Sequence, residues 1–536
     1  MIKKIQILRS KFKKYNIDGY IVPKNDDYFT EYSKINRLKI ITNFSGSAGL
    51  AIILKKKNYL FTDGRYTIQS QIESGKNFQI ISFEKLVNCN LFKNLKLGID
   101  PKLFTYQQIK KFFLKNNKVK FINKNLIDEI QKQKVDDSFP FFSLKKNIVG
   151  ESINSKLDKI SKYLKKKKSD YIFISAPENV AWILNIRGGD GPNSPMPNSR
   201  LIISKTKKIF LISKIKKCKK LFREKVIKSN EFIDTKEFPK KILNLKGKSF
   251  IIDGGSCSIF YEDIIKSKFK IIKGEDPAYL LKAIKNKTEI NNMKKTHILD
   301  GAALTKFIYW IKNVNKKQIT EVDAQNKLEK FRSMNKNFLY PSFDTIAGSG
   351  KNGAIVHYRA NKKNCRIIKN KDIFLCDSGG QYKYGTTDVT RTICFSKPSQ
   401  NIKDIFTKVL KGHIAVATTN LNKDNIGKKI DKRARKFLKQ NNLDYAHGTG
   451  HGVGFFLNVH EGPQSISKIN KVKIEEGMIL SNEPGYYKKN KFGIRIENLV
   501  YVKKADKKIF FENLTLVPIE KDLVNFKLLT SSEKNY

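Results

Sequence analysis

Five residues in the last third of this 536-residue chain, Asp377, Asp388, His451, Glu483 and Glu497, have the types and settings needed to hold two metal ions. They lie in Leu375-Cys-Asp-Ser-Gly-Gly380, Thr387-Asp-Val-Thr-Arg-Thr392, His447-Gly-Thr-Gly-His-Gly-Val-Gly454, Ser481-Asn-Glu-Pro-Gly485 and Gly493-Ile-Arg-Ile-Glu-Asn498. Four carboxylates and one imidazole make a hard, oxygen-rich set. Such a set suits manganese or a similar divalent ion better than a thiolate site would, with zinc and cobalt as alternatives. A carboxylate-bridged metal pair can clamp and activate one water, which is the chemistry of hydrolysis.

The elements around these residues explain how they would converge. Ile373 to Gly380 reads as a buried strand carrying Asp377, and Thr386 to Cys394 reads as the returning strand with Asp388 near its start. Glu483 and Glu497 bracket a second predicted hairpin, with Gly485 and Gly493 between them. Two hairpins that each offer two carboxylates form a pseudo-symmetric cup, to which His451 adds a nitrogen. Arg495 stands two positions before Glu497 on a predicted strand, so both share a face. That places Arg495 to steady the ligand carboxylates.

Upstream, the chain carries a weak repeat. A basic amphipathic stretch, Ile2 to Tyr15, leads into an apolar strand at 18–23. A second such stretch, 153–168 with Ile153, Leu157, Ile160 and Leu164 on one face, leads into another strand at 170–175. Hairpins follow in both copies, at 50–62 and at 200–212. Near residue 280 the pattern changes to a long helical run towards Trp310, in which Leu281, Ile284, Ile290 and Met293 recur at helical spacing.

Composition bounds the possibilities. The length implies roughly two to four domains. With 40% hydrophobic residues the chain can bury a large core. No apolar run is long enough for a membrane span, and the first residues lack the apolar core of a secretion signal. The six cysteines form no C-x-x-C pair, which fits a reducing cytoplasm. The formal charge of +57 comes mostly from lysines spread over the whole length, so no dedicated nucleic-acid or membrane partner is expected. Gly348-Ser-Gly-Lys-Asn-Gly353 matches G-x-G-x-x-G, but Ala354 to Tyr358 reads as extended where a dinucleotide site needs a helix.

The five ligand motifs, in this order, closely resemble the metallopeptidases of the pita-bread fold, a family that includes methionine aminopeptidase, prolidase and aminopeptidase P. Tyr340-Pro-Ser-Phe-Asp-Thr-Ile346, Gly353-Ala-Ile-Val-His-Tyr358, Leu514-Thr-Leu-Val-Pro-Ile519, Thr62-Asp-Gly-Arg-Tyr66 and Val180-Ala-Trp-Ile-Leu-Asn-Ile-Arg-Gly188 look like segments of the three-domain, cytosolic-type aminopeptidase P. The resemblance implies an α/β (α+β) chain with two related creatinase-like α/β domains, 1–147 and 148–280. A catalytic pita-bread domain with a C-terminal extension, 281–536, would follow. It also implies metal ligation by the five residues, catalytic roles for His357, His447 and His460 lining the substrate site, and substrate contacts from Arg65, His357 and His460. His297 and His413, in helix-like stretches, read as structural or surface residues. The expected activity is removal of the N-terminal residue from peptides with proline second, by a dinuclear-metal-activated water. A homodimer is implied as well. The alternatives are an Xaa-Pro dipeptidase and a non-catalytic binding protein on the same fold.

Overall fold

The first amphipathic stretch forms helix α1, Ile2–Tyr15, which buries Ile5, Leu8 and Phe12 and ends where Asn16 turns left-handed. These residues sit one helical turn or two apart, the spacing that lines one face. Strands β1 (Gly19–Pro23), β2 (Leu50–Leu54), β3 (Asn58–Thr62), β4 (Gln79–Ser82), β5 (Lys96–Ile99) and β6 (Lys118–Phe121) follow. They form one sheet in the order β4-β3-β2-β1-β5-β6. Along β2, Ala51 and Ile53 join the apolar cluster on one side of the sheet, and Leu50 and Ile52 join the cluster on the other. A strand covered on both faces reads as an unbroken apolar run, as this one does.

The second copy repeats the first. Helix α2 (Ile153–Lys166) precedes β7 (Tyr171–Ile174), β8 (Arg200–Ser204), β9 (Ile209–Ser213), β10 (Phe232–Asp234), β11 (Ser249–Ile252) and β12 (Lys270–Lys273). Their order is β10-β9-β8-β7-β11-β12. The pairing senses match strand for strand: the first strand of each copy is antiparallel to its second and parallel to its fifth. The computed structural model describes residues 1–87, 89–133 and 138–536 and divides into two units, Met1–Ala278 and Tyr279–Tyr536. Both copies lie in the first unit.

In the second unit the long helical run is two helices, not one. Ala278–Ala283 ends, and α3 (Lys287–Asn313) begins at a capping box in which Asn286 accepts from Glu289 N and Glu289 accepts from Asn286 N. The capping pair starts a new helix and breaks the apolar phase, so Ile290 and Met293 are buried while Ile284 is exposed. After α4 (Glu321–Ser333), strands β13 (Ile346–Ser349), β14 (Ile373–Ser378) and β15 (Val389–Cys394) form an antiparallel sheet with β14 central. Helices α5 (Gln400–Ala417) and α6 (Gly427–Lys439) lead to β16 (Gly450–Gly452), β17 (Glu461–Ile466), β18 (Ile479–Asn482), the hairpin β19 (Gly485–Lys488) and β20 (Phe492–Arg495), then β21 (Asn498–Ala505) and β22 (Lys508–Asn513). The larger sheet runs β17-β16-β18-β21-β22.

The G-x-G-x-x-G segment follows β13 and makes a short 3-10 turn, Gly350–Ala354, then a loop. No strand forms over Ala354 to Tyr358: Ala354 belongs to the 3-10 turn, Ile355 is extended, and Val356 and His357 turn; the 3-10 turn meets the β19–β20 hairpin at a glycine–glycine approach. A Cβ on Gly493 would overlap the Gly353 carbonyl. Gly493→Ala is therefore expected to cost about 1–3 kcal/mol through overpacking, read as a lower urea midpoint with the slope unchanged.

Candidate metal centre

Pairing register brings the carboxylates together. Asp377 lies on β14 opposite Thr390, and beyond it Gln381 pairs with Thr386, so Asp388 falls at the break between two ladders of the same hairpin. In the second hairpin Asn482 pairs with Asn498 and Gly485 with Arg495. The same register places Glu483 across from Glu497, again at a break. A bridge between Thr390 and Glu497 joins the two hairpins. There Thr390 Oγ1 donates to Glu497 Oε2 at 2.7 Å.

His451 comes from β16. Its backbone N–H donates to Ser481 Oγ at 2.9 Å, and that hydroxyl donates to Glu483 Oε1 at 3.0 Å. His451 Nδ1 lies 2.9 Å from the Gly452 carbonyl, which fixes the ring with Nε2 directed at the carboxylates. Nε2 is 3.4 Å from both Asp388 Oδ2 and Glu483 Oε1. Asp388, His451 and Glu497 each offer an atom within 4.8 Å of the others. Asp377, Asp388 and Glu497 are buried, whereas His451 and Glu483 are half-buried.

Arg495 is the guanidinium of this cluster. Its Nη2 donates to Asp377 Oδ2 at 2.5 Å, its Nε to Thr390 Oγ1 at 3.2 Å, and its Nη1 to the Tyr487 hydroxyl. One cation does not balance the carboxylates. Burial pushes Asp377 up to about 6, with Arg495 opposing and Asp388 and Glu483 adding repulsion. Burial and the neighbouring carboxylates drive Glu497 well above the usual range. Burial works against the charged form of His451, but Asp388 and Glu483 outweigh it and raise the imidazole to about 9. Asp377 Oδ1 is buried without a hydrogen-bond partner. An orphaned carboxylate oxygen, an oriented ring nitrogen and mutually repelling anions fit a site for divalent cations.

The other sequence-predicted residues fall as follows. His447 Nε2 lies 2.9 Å from the Tyr487 hydroxyl, and its Nδ1 is 3.9 Å from Glu483 Oε2. The ring of His460 meets that of His451 edge to face, with centroids 4.3 Å apart. His357 follows Val356, whose carbonyl is 3.4 Å from Arg495 Nη2. Arg65 belongs to the first unit, where it grips Asp63 through Nε at 3.0 Å and Nη2 at 2.7 Å. The four histidines of the motifs are half-buried, while His297 and His413 are fully enclosed. A second group, Cys394, Glu520 and Asp522, also brings ligand atoms together, but Lys312 Nζ sits 2.9 Å from both Glu520 oxygens.

Several contributing residues were not singled out from the sequence. Thr390 and Ser481 each stand two positions from a ligand, so strand alternation was their available signal. Tyr487 left no such signal, because it meets His447 and Arg495 only through the fold. Arg391 is buried and donates to the Glu497 carbonyl at 2.7 Å, to Asn498 Oδ1 at 2.9 Å and to the Val517 and Pro518 carbonyls.

A family model for metallopeptidase family M24 matches residues 291–504, and two models for the creatinase/prolidase N-terminal domain match residues 4–130 and 132–289. The chain is 36% identical to a probable Xaa-Pro aminopeptidase P of Laccaria bicolor over 99% of its own length and 87% of that protein. It is 37% identical to Xaa-Pro aminopeptidase 1 of Dictyostelium discoideum, covering 100% of this chain and 91% of that one. The crystal structure of the X-prolyl aminopeptidase of Caenorhabditis elegans, described as a cytosolic enzyme with a di-nuclear active site, superposes with a TM-score of 0.92 at 29% identity, covering 100% of this chain and 94% of that one. The prolidase of Pyrococcus horikoshii superposes over 68% of this chain and 99% of its own, with a TM-score of 0.56 at 25% identity.

His413 on α5 ties the centre to its scaffold: its Nδ1 meets the Asn482 carbonyl at 3.1 Å, and Asn482 Nδ2 donates to the His413 carbonyl at 2.9 Å. Burial, then the charge of Arg391, lowers this imidazole from 6.5 to about 3. The folded pKa lies below the unfolded one, so stability present above pH 6.5 is lost as pH falls from there towards 3, by up to about 1.4 kcal/mol per pH unit. Urea midpoints between pH 7 and 4 should fall more steeply in wild type than in His413→Gln, and parallel curves would contradict the assignment.

Proposed function

Because this chain belongs to the Xaa-Pro aminopeptidases of metallopeptidase family M24, we propose that Asp377, Asp388, His451, Glu483 and Glu497 hold its two metal ions and that manganese is the ion used. The chain is a metal-dependent aminopeptidase that releases the N-terminal residue from peptides with proline second. The observation that carries the residue assignment is the convergence of Asp377 on β14, of Asp388, Glu483 and Glu497 at the breaks of two paired hairpins, and of His451 Nε2 from β16. Bound there, divalent ions supply Lewis-acid polarisation of the scissile carbonyl and activation of a water.

The protein's own groups divide the remaining work. Asp377 and Glu497 keep their orientation through Arg495 and Thr390. The Gly452 carbonyl keeps His451 Nε2 pointed at the centre. Cleavage before proline leaves a secondary amine nitrogen that must gain a proton, and the carbonyl oxygen gains charge as water adds to the carbonyl carbon, before the C–N bond breaks. We assign these two tasks to the half-buried imidazoles of His357 and His460, which can donate to either atom. His447, held by Tyr487, is assigned a catalytic role beside them. The bond to proline has no N–H and its ring has a fixed φ, so a pocket shaped to that ring selects for it. Arg65 is assigned a substrate contact.

The full-length match to Xaa-Pro aminopeptidases, which takes in both copies of the duplicated N-terminal domain, favours an aminopeptidase over a dipeptidase. All five ligand positions are filled, which speaks against a non-catalytic binding protein. The six cysteines are free thiols, consistent with a reducing cytoplasm. Among the described residues no helix is long and apolar enough to cross a membrane. A homodimer completes the proposal.

With manganese added, the purified chain should cleave Xaa-Pro-Xaa tripeptides and should cleave Xaa-Pro dipeptides more slowly. Full activity after chelation would contradict metal dependence, and faster dipeptide turnover would assign the chain to the dipeptidases. Arg495→Met should weaken manganese binding by roughly 10–100-fold, as loss of a group behind a ligand does, measured by competition with a chelating dye.

A further inference from the structure

We propose that Glu321 is a positioning residue for His357, acting through Tyr358. His357 lies in the stretch 355–372, which has no helix or strand beyond a single bridge at Ile367. A loop of that kind holds an imidazole in one place only if something anchors it. Glu321, the first residue of α4, provides the anchor. Its carboxylate is fully buried at the amino end of the helix, where negative charge is favoured. Oε1 accepts from Ser349 N at 2.7 Å and from Asn352 Nδ2 at 3.1 Å. Oε2 accepts from the Tyr358 hydroxyl at 2.7 Å, from Asn352 Nδ2 at 2.9 Å and from Arg366 N at 2.9 Å.

One side chain thus binds the chain on both sides of His357: Ser349 and Asn352 before it, Tyr358 and Arg366 after it. The Tyr358 hydroxyl also accepts from Asn352 Nδ2 at 2.9 Å, which closes the ring of contacts. On the opposite side, the carbonyl of Val356 meets Arg495, the residue that also holds Asp377. His357 is therefore set between a carboxylate lock and the hairpin that carries the candidate ligands. Glu321 itself contacts neither substrate nor ligand, so its effect on the reaction passes through His357. The kinetic part of this inference rests on the proposed role of His357; the structural part does not.

The test uses the full chain and Tyr358→Phe, which removes one hydroxyl and keeps the ring, with Glu321→Gln as the harsher companion. Six histidines make ring-labelled NMR spectra simple, and His357→Ala assigns the His357 signal. In Y358F that signal should shift or broaden while those of His297 and His413 stay in place. On a Xaa-Pro-Xaa peptide, kcat/KM should fall roughly 10-fold in Y358F, and Y358F/H357A should match H357A, because a residue acting through His357 has no effect once it is gone. An unmoved His357 signal, or losses that multiply in the double variant, would overturn the proposal. If wild type cleaves no Xaa-Pro peptide, the functional reading fails, and the ring signals still decide whether Glu321 and Tyr358 hold the loop.

Discussion

Mutual repulsion among four carboxylates is the constraint around which the second unit is organised. Asp377, Asp388, Glu483 and Glu497 face one imidazole and one guanidinium in a largely buried setting. Burial and this crowding shift the protonation equilibria of Asp377 and Glu497 upward. An arrangement of that sort persists only where the scaffold enforces it. Here the enforcement is strand register: Glu483 and Glu497 oppose each other because the two ladders that flank them share one register. Those ladders fix where the backbones of both residues stand.

The supporting contacts serve the same end. Thr390 donates to Glu497 from the first hairpin, and Arg391, next in sequence, holds the Glu497 carbonyl from the other face of the strand. Ser481 links the His451 backbone to Glu483. Tyr487 connects His447 to Arg495, and Arg495 reaches Asp377. These contacts tie the candidate ligands to one another and, through Tyr487, to His447, so a small displacement in one is felt by the others. The cost is four carboxylates crowded against one guanidinium and one imidazole, the kind of local conflict that proteins retain at working sites.

Much of this was legible in the sequence because it depends on local pattern. The helix at Ile2–Tyr15, the apolar strands and both carboxylate-bearing hairpins follow from periodicity and glycine placement. The duplication was visible in the order helix, strand, hairpin, and the two sheets repeat it down to pairing sense. Where the reading failed, a contact that the apolar pattern does not encode was present. The Asn286–Glu289 capping box divided a run that looked continuous. A 3-10 turn packed through Gly353 against Gly493 stands at the start of the segment expected to be extended. Arg391 and Glu321 left no sequence signal, because their partners lie far away along the chain, and Tyr487 left none because its links to His447 and Arg495 form only after folding.

The central claim, that these five side chains form a single two-ion site, is tested most directly by metal stoichiometry. The purified chain would be saturated with manganese, freed of excess ion and analysed for metal per polypeptide. The account predicts two ions per chain in wild type and fewer in Asp388→Ala and Glu497→Ala. Two ions retained in those variants, or none held by wild type, would contradict it.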